Sequence, residues 1–313
     1  MEKYALSKST FIRGLQCKKK LYLYKHHYNL KDNISPQSQA IFNQGNKVGI
    51  LAQELFPNGA DASPSSHFKI QESVVKTKEF IENGETIIYE ATFQFNGVLV
   101  ALDVLVKQKD GWKAYEVKSS SRVSDTNIKD AAIQYYTIIN CGIKLKDISI
   151  VHINSQYVKD GDINIQKLFT IESVSNRIQQ LLPAIPKKIK EFKKVLLNKS
   201  VPDIGIGEHC SKPYNCDFKG HCWKHIPEYS IFDISGLRNP KKFKLYENGI
   251  INFEQIDLHS SYLNPNQLLQ VNSELENKSF IDKPKIKDFI EDLNYPLYFL
   301  DFETMRTAVP IFN

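Results

Sequence analysis

Glu90, Asp103, Glu116 and Lys118 are residue types that bind metals and phosphates, and two tight turns bring them together. Residues 86–95 and 98–107 are strand-forming runs separated by Asn96-Gly97, and Asp110-Gly111 precedes a third run over 112–118. Asn-Gly and Asp-Gly between such runs are strong hairpin signals. With Asn96-Gly97 as loop residues, Glu90 lies opposite Asp103; with Asp110-Gly111, Asp103 lies opposite Lys118 and Leu105 opposite Glu116. Directly opposed residues share a face, as do residues two apart on one strand. All four are therefore expected on one side of a three-stranded meander. Its carboxylates can hold a hard divalent cation, which polarises a phosphate and activates a water, with a fixed positive charge beside them.

Charged residues on one sheet face are most often just the solvated side. Here the surroundings argue otherwise. Leu99, Ala101 and Leu105 flank Asp103 on its own face, and Val98, Val100, Leu102, Val104 and Val106 occupy the other. A strand apolar on both faces is normally buried on both, and a carboxylate set into it is costly unless paired or bound to a metal.

Asp103 followed by Glu116-Val117-Lys118 on the next strand resembles the core of the PD-(D/E)xK nuclease superfamily, with Glu90 where many members carry a leading acidic residue. A helix is expected over 126–141 from the spacing of Ala131, Ala132, Tyr135, Ile138 and Ile139. Its Gln134-Tyr135-Tyr136 resembles the Gln-x-x-x-Tyr helix of the RecB-like and Cas4-like branch, although position 138 is Ile. Where that branch often has a histidine ligand in Gly-x-x-x-His, this chain has Gly49 after Gly45. The resemblance implies an α/β restriction-endonuclease-like fold and Mg²⁺- or Mn²⁺-dependent cleavage of DNA, on single strands or ends. It implies Asp103 and Glu116 as metal ligands with Glu90 assisting, Lys118 stabilising the phosphate and Gln134 orienting the site. A catalytically inactive nucleic-acid-binding module on the same scaffold is the alternative.

The cysteines are five in 313 residues, too few and too scattered for a disulfide scaffold. The chain opens Met-Glu-Lys-Tyr and charged residues interrupt every apolar stretch, so a reducing, cytoplasmic setting without membrane association is expected. Cys210, Cys216 and Cys222 are evenly spaced in a loop marked by Pro213, Asn215 and Gly220; Cys17 stands near the start, and Cys141 reads as an ordinary buried thiol. Such a loop calls for a metal cross-link. His209 and His221 suit zinc, but the five-residue gaps do not suit its usual Cys-x2–4-Cys pairs, and an iron–sulfur cluster needs no such pair. Spacing alone leaves zinc, an iron–sulfur cluster and no metal all open. One N-terminal cysteine plus three after the core is, however, similar to the iron–sulfur nucleases related to Cas4 and the AddB subunit. That resemblance implies a [4Fe–4S] cluster on Cys17, Cys210, Cys216 and Cys222. Residues 6–17 and 216–223 resemble, more specifically, the DUF2779 family.

Of the surrounding chain, residues 1–33 carry eight Lys and Arg against Glu2 and Asp32, so the whole net charge of +6 is matched there. Lys18, Lys19, Lys20 and Lys25 alternate with Leu21, Tyr22, Leu23 and Tyr24, a pattern that suits a nucleic-acid backbone and stacked bases. Helices are expected at about 36–56, 69–83 and 173–199 and a strand at 148–154, giving a three-layer sandwich around a mixed sheet. The expected division is a nuclease domain over 1–226, a helical or linker region over 227–294, and a tail over 295–313. Within the middle region, 243–250 reads as a connector or as a helix–hairpin–helix turn. In the tail, an apolar strand over 296–300 leads into Asp301-Phe302-Glu303-Thr304, which resembles the first motif of DnaQ-like exonucleases with the RNase H fold. Asp301 and Glu303 are read as a vestigial second site, because the chain stops at Asn313 before any further acidic motif.

Overall fold

The computed structural model describes residues 5–257, 262–303 and 307–313. It divides into two compact units, residues 1–204 with 306–313, and residues 205–305.

The first unit is a mixed sheet flanked by helices. Its strands are β1 (Leu6–Ser7), β2 (Ala60–Asp61), β3 (Ile87–Phe95), β4 (Val98–Gln108), β5 (Gly111–Lys118), β6 (Leu145–Ile153) and β7 (Phe169–Ser173). They lie in the order β2-β3-β4-β5-β6-β7, with β1 added parallel to β4. The meander β3–β4–β5 and the pair β6–β7 are antiparallel, while β2–β3 and β5–β6 are parallel. Asn96 and Gly97 take φ of 45° and 64°, as the expected two-residue turn requires. Val98, Leu99, Val100, Leu102, Val104 and Leu105 are all buried, so β4 is covered on both faces.

Helices α1 (Lys8–Gln16) and α2 (Lys18–His26) are separated by one extended residue, Cys17, at φ −162° and ψ 125°. A capping box between Ser7 and Thr10 starts α1. α3 (Pro36–Ala52) and α4 (Ile70–Glu82) follow, and Ser124 with Asn127 caps α5 (Asp125–Asn140) in the same manner. One core joins the sheet to residues of α1, α5 and the helix Ile185–Leu197. A second core gathers Val48 and Ala52 of α3 against Val104, Tyr115 and Val151.

The long helix expected over 173–199 is not continuous. Residues 169–173 form β7, and a regular helix begins only at Ile185. Pro183 and Pro186 lack the amide that a helix interior needs and are confined to first turns. Cys141, expected to be buried, is exposed at the C-terminal cap of α5.

The second unit has its own small core of Ile231, Ile234, Leu237, Leu245, Phe253 and Val271. The turn at 243–250 is a helix ending: Ile250 N–H donates to Leu245 O at 3.0 Å and Gly249, at φ 80°, donates to Tyr246 O at 2.9 Å. The element that follows it is the 3-10 turn Phe253–Gln255, not a second helix directly after the turn. Residues 296–303, expected to contain a strand, take no regular structure, and Tyr298, Phe299, Leu300 and Phe302 are exposed. A strand needs a neighbour to take its hydrogen bonds, and this stretch is paired with none. Ala308 and Val309 pack on the second core of the first unit.

Candidate active site

The carboxylates sit at a fork in the sheet. β3 occupies one edge of β4 along its length, so β1 at Val98–Leu99 and β5 at Val104–Gln108 share the opposite edge. Between those two partners, the backbone is completed by side chains. Val117 N–H donates to Asp103 Oδ2 at 2.5 Å. The Ala101 carbonyl accepts from Gln134 Nε2 at 3.1 Å and from Lys8 Nζ at 3.5 Å. Buried main-chain groups must find partners, so the residues that fill the fork are held firmly in place.

Glu116 is the hub. It is 2% exposed, and its Oε1 accepts from Lys118 Nζ at 2.7 Å and from Lys8 Nζ at 2.6 Å. Its Oε2 accepts from Gln134 Nε2 at 2.6 Å. Lys118 also bonds Asp130 Oδ2 at 3.1 Å. Gln134 is fully buried, and its Oε1 has no hydrogen-bond partner.

These contacts separate the two central carboxylates electrically. Burial and the negative charge of Glu116 push the Asp103 carboxyl up to about 7, against the pull of Lys8, Lys118 and the Val117 amide. Burial also disfavours the charge on Glu116, but Lys118 and Lys8 outweigh it and hold that carboxyl down at about 2. Burial works against both ammoniums, yet Glu116 and the other carboxylates keep Lys118 and Lys8 above their ordinary range. Glu90 joins the group through its charge: burial, then Glu116, raise its carboxyl. Its backbone sits at φ 54°, and the β3–β4 ladder skips the Glu90–Asp103 level.

The expected register of β4 on β5 is corrected by two residues. The loop residues are Lys109 and Asp110, and Gly111 already pairs with Gln108. Leu105 therefore faces Ala114, not Glu116, and continuing the register sets Asp103 across from Glu116, not Lys118. Because side chains alternate with a period of two, a slip of two leaves them on the same face. The structure thus brings Asp103, Glu116, Lys118 and Gln134 together for a different reason from the one the turn suggested.

Sequence reasoning missed Lys8 and Asp130. Asp130 carried a signal, since it lies four residues before Gln134 on α5 and so on the same helical face. Lys8 carried none, because it follows a capping serine and reaches Glu116 only through the β1–β4 pairing.

The basic segment near the start is largely engaged within the fold. Lys18 pairs with Glu191, Lys19 Nζ donates to Ile204 O at 3.2 Å and Lys20 Nζ to Gln16 Oε1 at 2.8 Å. Cys17 belongs to the first unit and Cys210, Cys216 and Cys222 to the second. Cys210 is buried and the other three are partly so. In that loop the Cys216 amide donates to Cys210 O at 2.8 Å, and His221 Nδ1 is buried without a partner. Asp301 and Glu303 are both exposed. Among the described residues, no three or more His, Cys, Asp and Glu are gathered as a metal site, and no helix is long and apolar enough to cross a membrane. No protein-family model and no curated protein matches the chain.

Proposed function

We propose that this protein is a metal-dependent deoxyribonuclease of the iron–sulfur PD-(D/E)xK group. The observation that carries the reading is the contact set at the fork: Asp103 and Glu116 on adjacent strands, Lys118 bonded to Glu116, and Gln134 bonded to Glu116 and the main chain. The residues fit a hard cation by their oxygen donors and by the orphaned Gln134 Oε1, a buried acceptor that a hydrated ion would satisfy. Asp103 and Glu116, with Glu90, would hold Mg²⁺ or Mn²⁺. When bound, that ion supplies Lewis-acid polarisation of a phosphate and a water acidified for attack.

The chain's own groups have separable roles. Lys118 keeps its proton and offers positive charge to a phosphoryl oxygen. Gln134 fixes the Glu116 carboxylate so that it need not reorganise. Lys8 neutralises Glu116 in the resting site. The four thiols of Cys17, Cys210, Cys216 and Cys222 are the donor set for a [4Fe–4S] cluster. Anaerobically purified protein should then carry about four irons per chain, and stoichiometric zinc would refute that assignment.

One observation favours a second reading, a nucleic-acid-binding module without catalysis. Both lysines lie on the same oxygen of Glu116, so a cation must displace Lys8 or share the carboxylate with it. Single- and double-stranded DNA incubated with the protein, with and without Mn²⁺, separates the two. Cleavage by the wild type that falls at least about 100-fold in Asp103→Asn and Lys118→Met supports the nuclease. DNA binding without cleavage supports the module. Cleavage unchanged in either variant removes the site assignment.

A further inference from the structure

Lys8 is oddly placed for a purely structural ion pair. It opens α1 directly after the Ser7 cap, where the helix dipole disfavours a cation, and the first turn holds no acidic residue to offset it. Nor does Glu116 lack partners without it. Lys118 and Gln134 already donate to its two oxygens, and Lys8 brings a second ammonium to the oxygen that Lys118 holds. Like charges crowded on one oxygen repel each other. The two lysines are also unequally anchored. Lys118 stands on β5 and bonds Asp130 as well, at 3.1 Å. Beyond Glu116, the contact found for the Lys8 ammonium among the described residues is the Ala101 carbonyl at 3.5 Å, the outer limit of a hydrogen bond. Both lysine side chains are 23% exposed against 2% for Glu116, so a ligand arriving from solvent meets the ammoniums before the carboxylate.

We infer that Lys8 is a second phosphate-binding residue of this site, held on Glu116 until a divalent cation takes its place. The inference rests on the metal reading of the carboxylates. When Glu116 takes a divalent cation, both ammoniums are repelled, and the less anchored one yields. Lysine carries a compact charge on a flexible four-carbon stem, so the Lys8 ammonium can move while its backbone stays in the helix. It then stands as an uncompensated cation beside the N-terminus of α1, and both favour an anion. A phosphate drawn to the carboxylate site is the anion at hand. Lys118, tied to Glu116 and Asp130, supplies the fixed charge. Lys8 supplies the charge that is released only when the ion is bound, which couples phosphate binding to metal binding.

Calorimetric titration of the full chain with Mn²⁺, and with dTMP in the presence and absence of Mn²⁺, tests it; dTMP has no phosphodiester to cleave. Lys8→Met should bind Mn²⁺ at least about tenfold more tightly, the worth of one hydrogen bond to a charged group. At saturating Mn²⁺ it should bind dTMP about tenfold more weakly, and without Mn²⁺ no differently from the wild type. Lys8→Gln, which can still donate a hydrogen bond but carries no charge, should follow it, which keeps the test valid if Lys8→Met fails to fold. Mn²⁺ affinity unchanged or reduced in the folded variants, dTMP affinity undiminished at saturating Mn²⁺, or an equal loss without Mn²⁺ would each overturn the inference. Mn²⁺ binding that is indifferent to Lys8 removes this inference alone, whereas no Mn²⁺ binding by the wild type or either variant removes the metal reading with it.

Discussion

Glu90 differs from every other described non-glycine residue of positive φ, which are Asn58, Asn96 and Asn277. Asparagine tolerates that region; a glutamate there costs about 1–2 kcal/mol. Strain of this kind persists where surrounding structure over-determines it, often at functional sites. Glu90→Gly should therefore stabilise the fold by on the order of 1 kcal/mol, relief of strain outweighing the flexibility that glycine adds to the unfolded chain. The same change should reduce metal-dependent cleavage. Urea unfolding and the nuclease assay measure the two effects, and a large loss of stability would show that the Glu90 side chain supports the fold.

Asp103 offers a pH test. Its folded carboxyl is raised from 3.8 to about 7, so between those values the folded state binds the proton that the unfolded state has released. Stability from this group is complete below about pH 4 and is lost as pH rises through about 7. Asp103→Asn, which imitates the protonated acid, should raise the Tm of the metal-free protein at pH 8 by at least ~2 °C and change it little at pH 4. A lower Tm at pH 8 would mean that the carboxylate is needed as a charged partner of Lys8 and Lys118.

At the scale of elements, Gly14 marks a close approach of α1 to the helix Ile185–Leu197: a Cβ built there would lie 2.8 Å from the Phe192 ring. Phe192 is itself 1% exposed and packs edge-on against Phe11 at 5.3 Å. Gly14→Ala should destabilise by about 1–3 kcal/mol, as overpacking does. Phe192→Leu in the same chain should recover part of that loss in a double-mutant cycle; strict additivity would refute the clash.

Elements also show what was legible. Asn96-Gly97 dictated its turn because both positions need positive φ. Asp110-Gly111 misled because Gly111 is wanted for another reason: at φ 154°, a Cβ on it would lie 2.5 Å from Lys144 O, the acceptor for Trp112 N–H. The period-two rule rescued the face and therefore the site. The 173–199 pattern was overread because apolar spacing was weighed without the two prolines. Lys8 was invisible because no local pattern encodes a contact made through a distant strand.

At the scale of the molecule, residues 227–294 were expected as a helical or linker region, yet the second unit has a core of its own. Its core residues come from short helices and 3-10 turns, which are too brief to repeat a hydrophobic period. Its independence has a proteolytic consequence. Residues 198–207 have no regular structure and Lys199 is exposed. Trypsin should cut first at Lys199, and in the exposed stretch 276–303, before it cuts within 226–257; mass spectrometry of early fragments decides. An initial cut inside 226–257 would show that the small core does not protect its backbone.

The fork imposes an order in time. Leu6 pairs with Val98, so β1 cannot dock until its partner, about ninety residues later, has left the ribosome. At ~5–20 residues per second that is a wait of roughly 5–20 s. Through it, Lys8 has no Glu116 to neutralise, and the apolar Leu6 and Phe11 have no sheet to cover them. The segment that closes the site is thus made well before the strand and the carboxylate it closes on, and it stays uncovered for that interval.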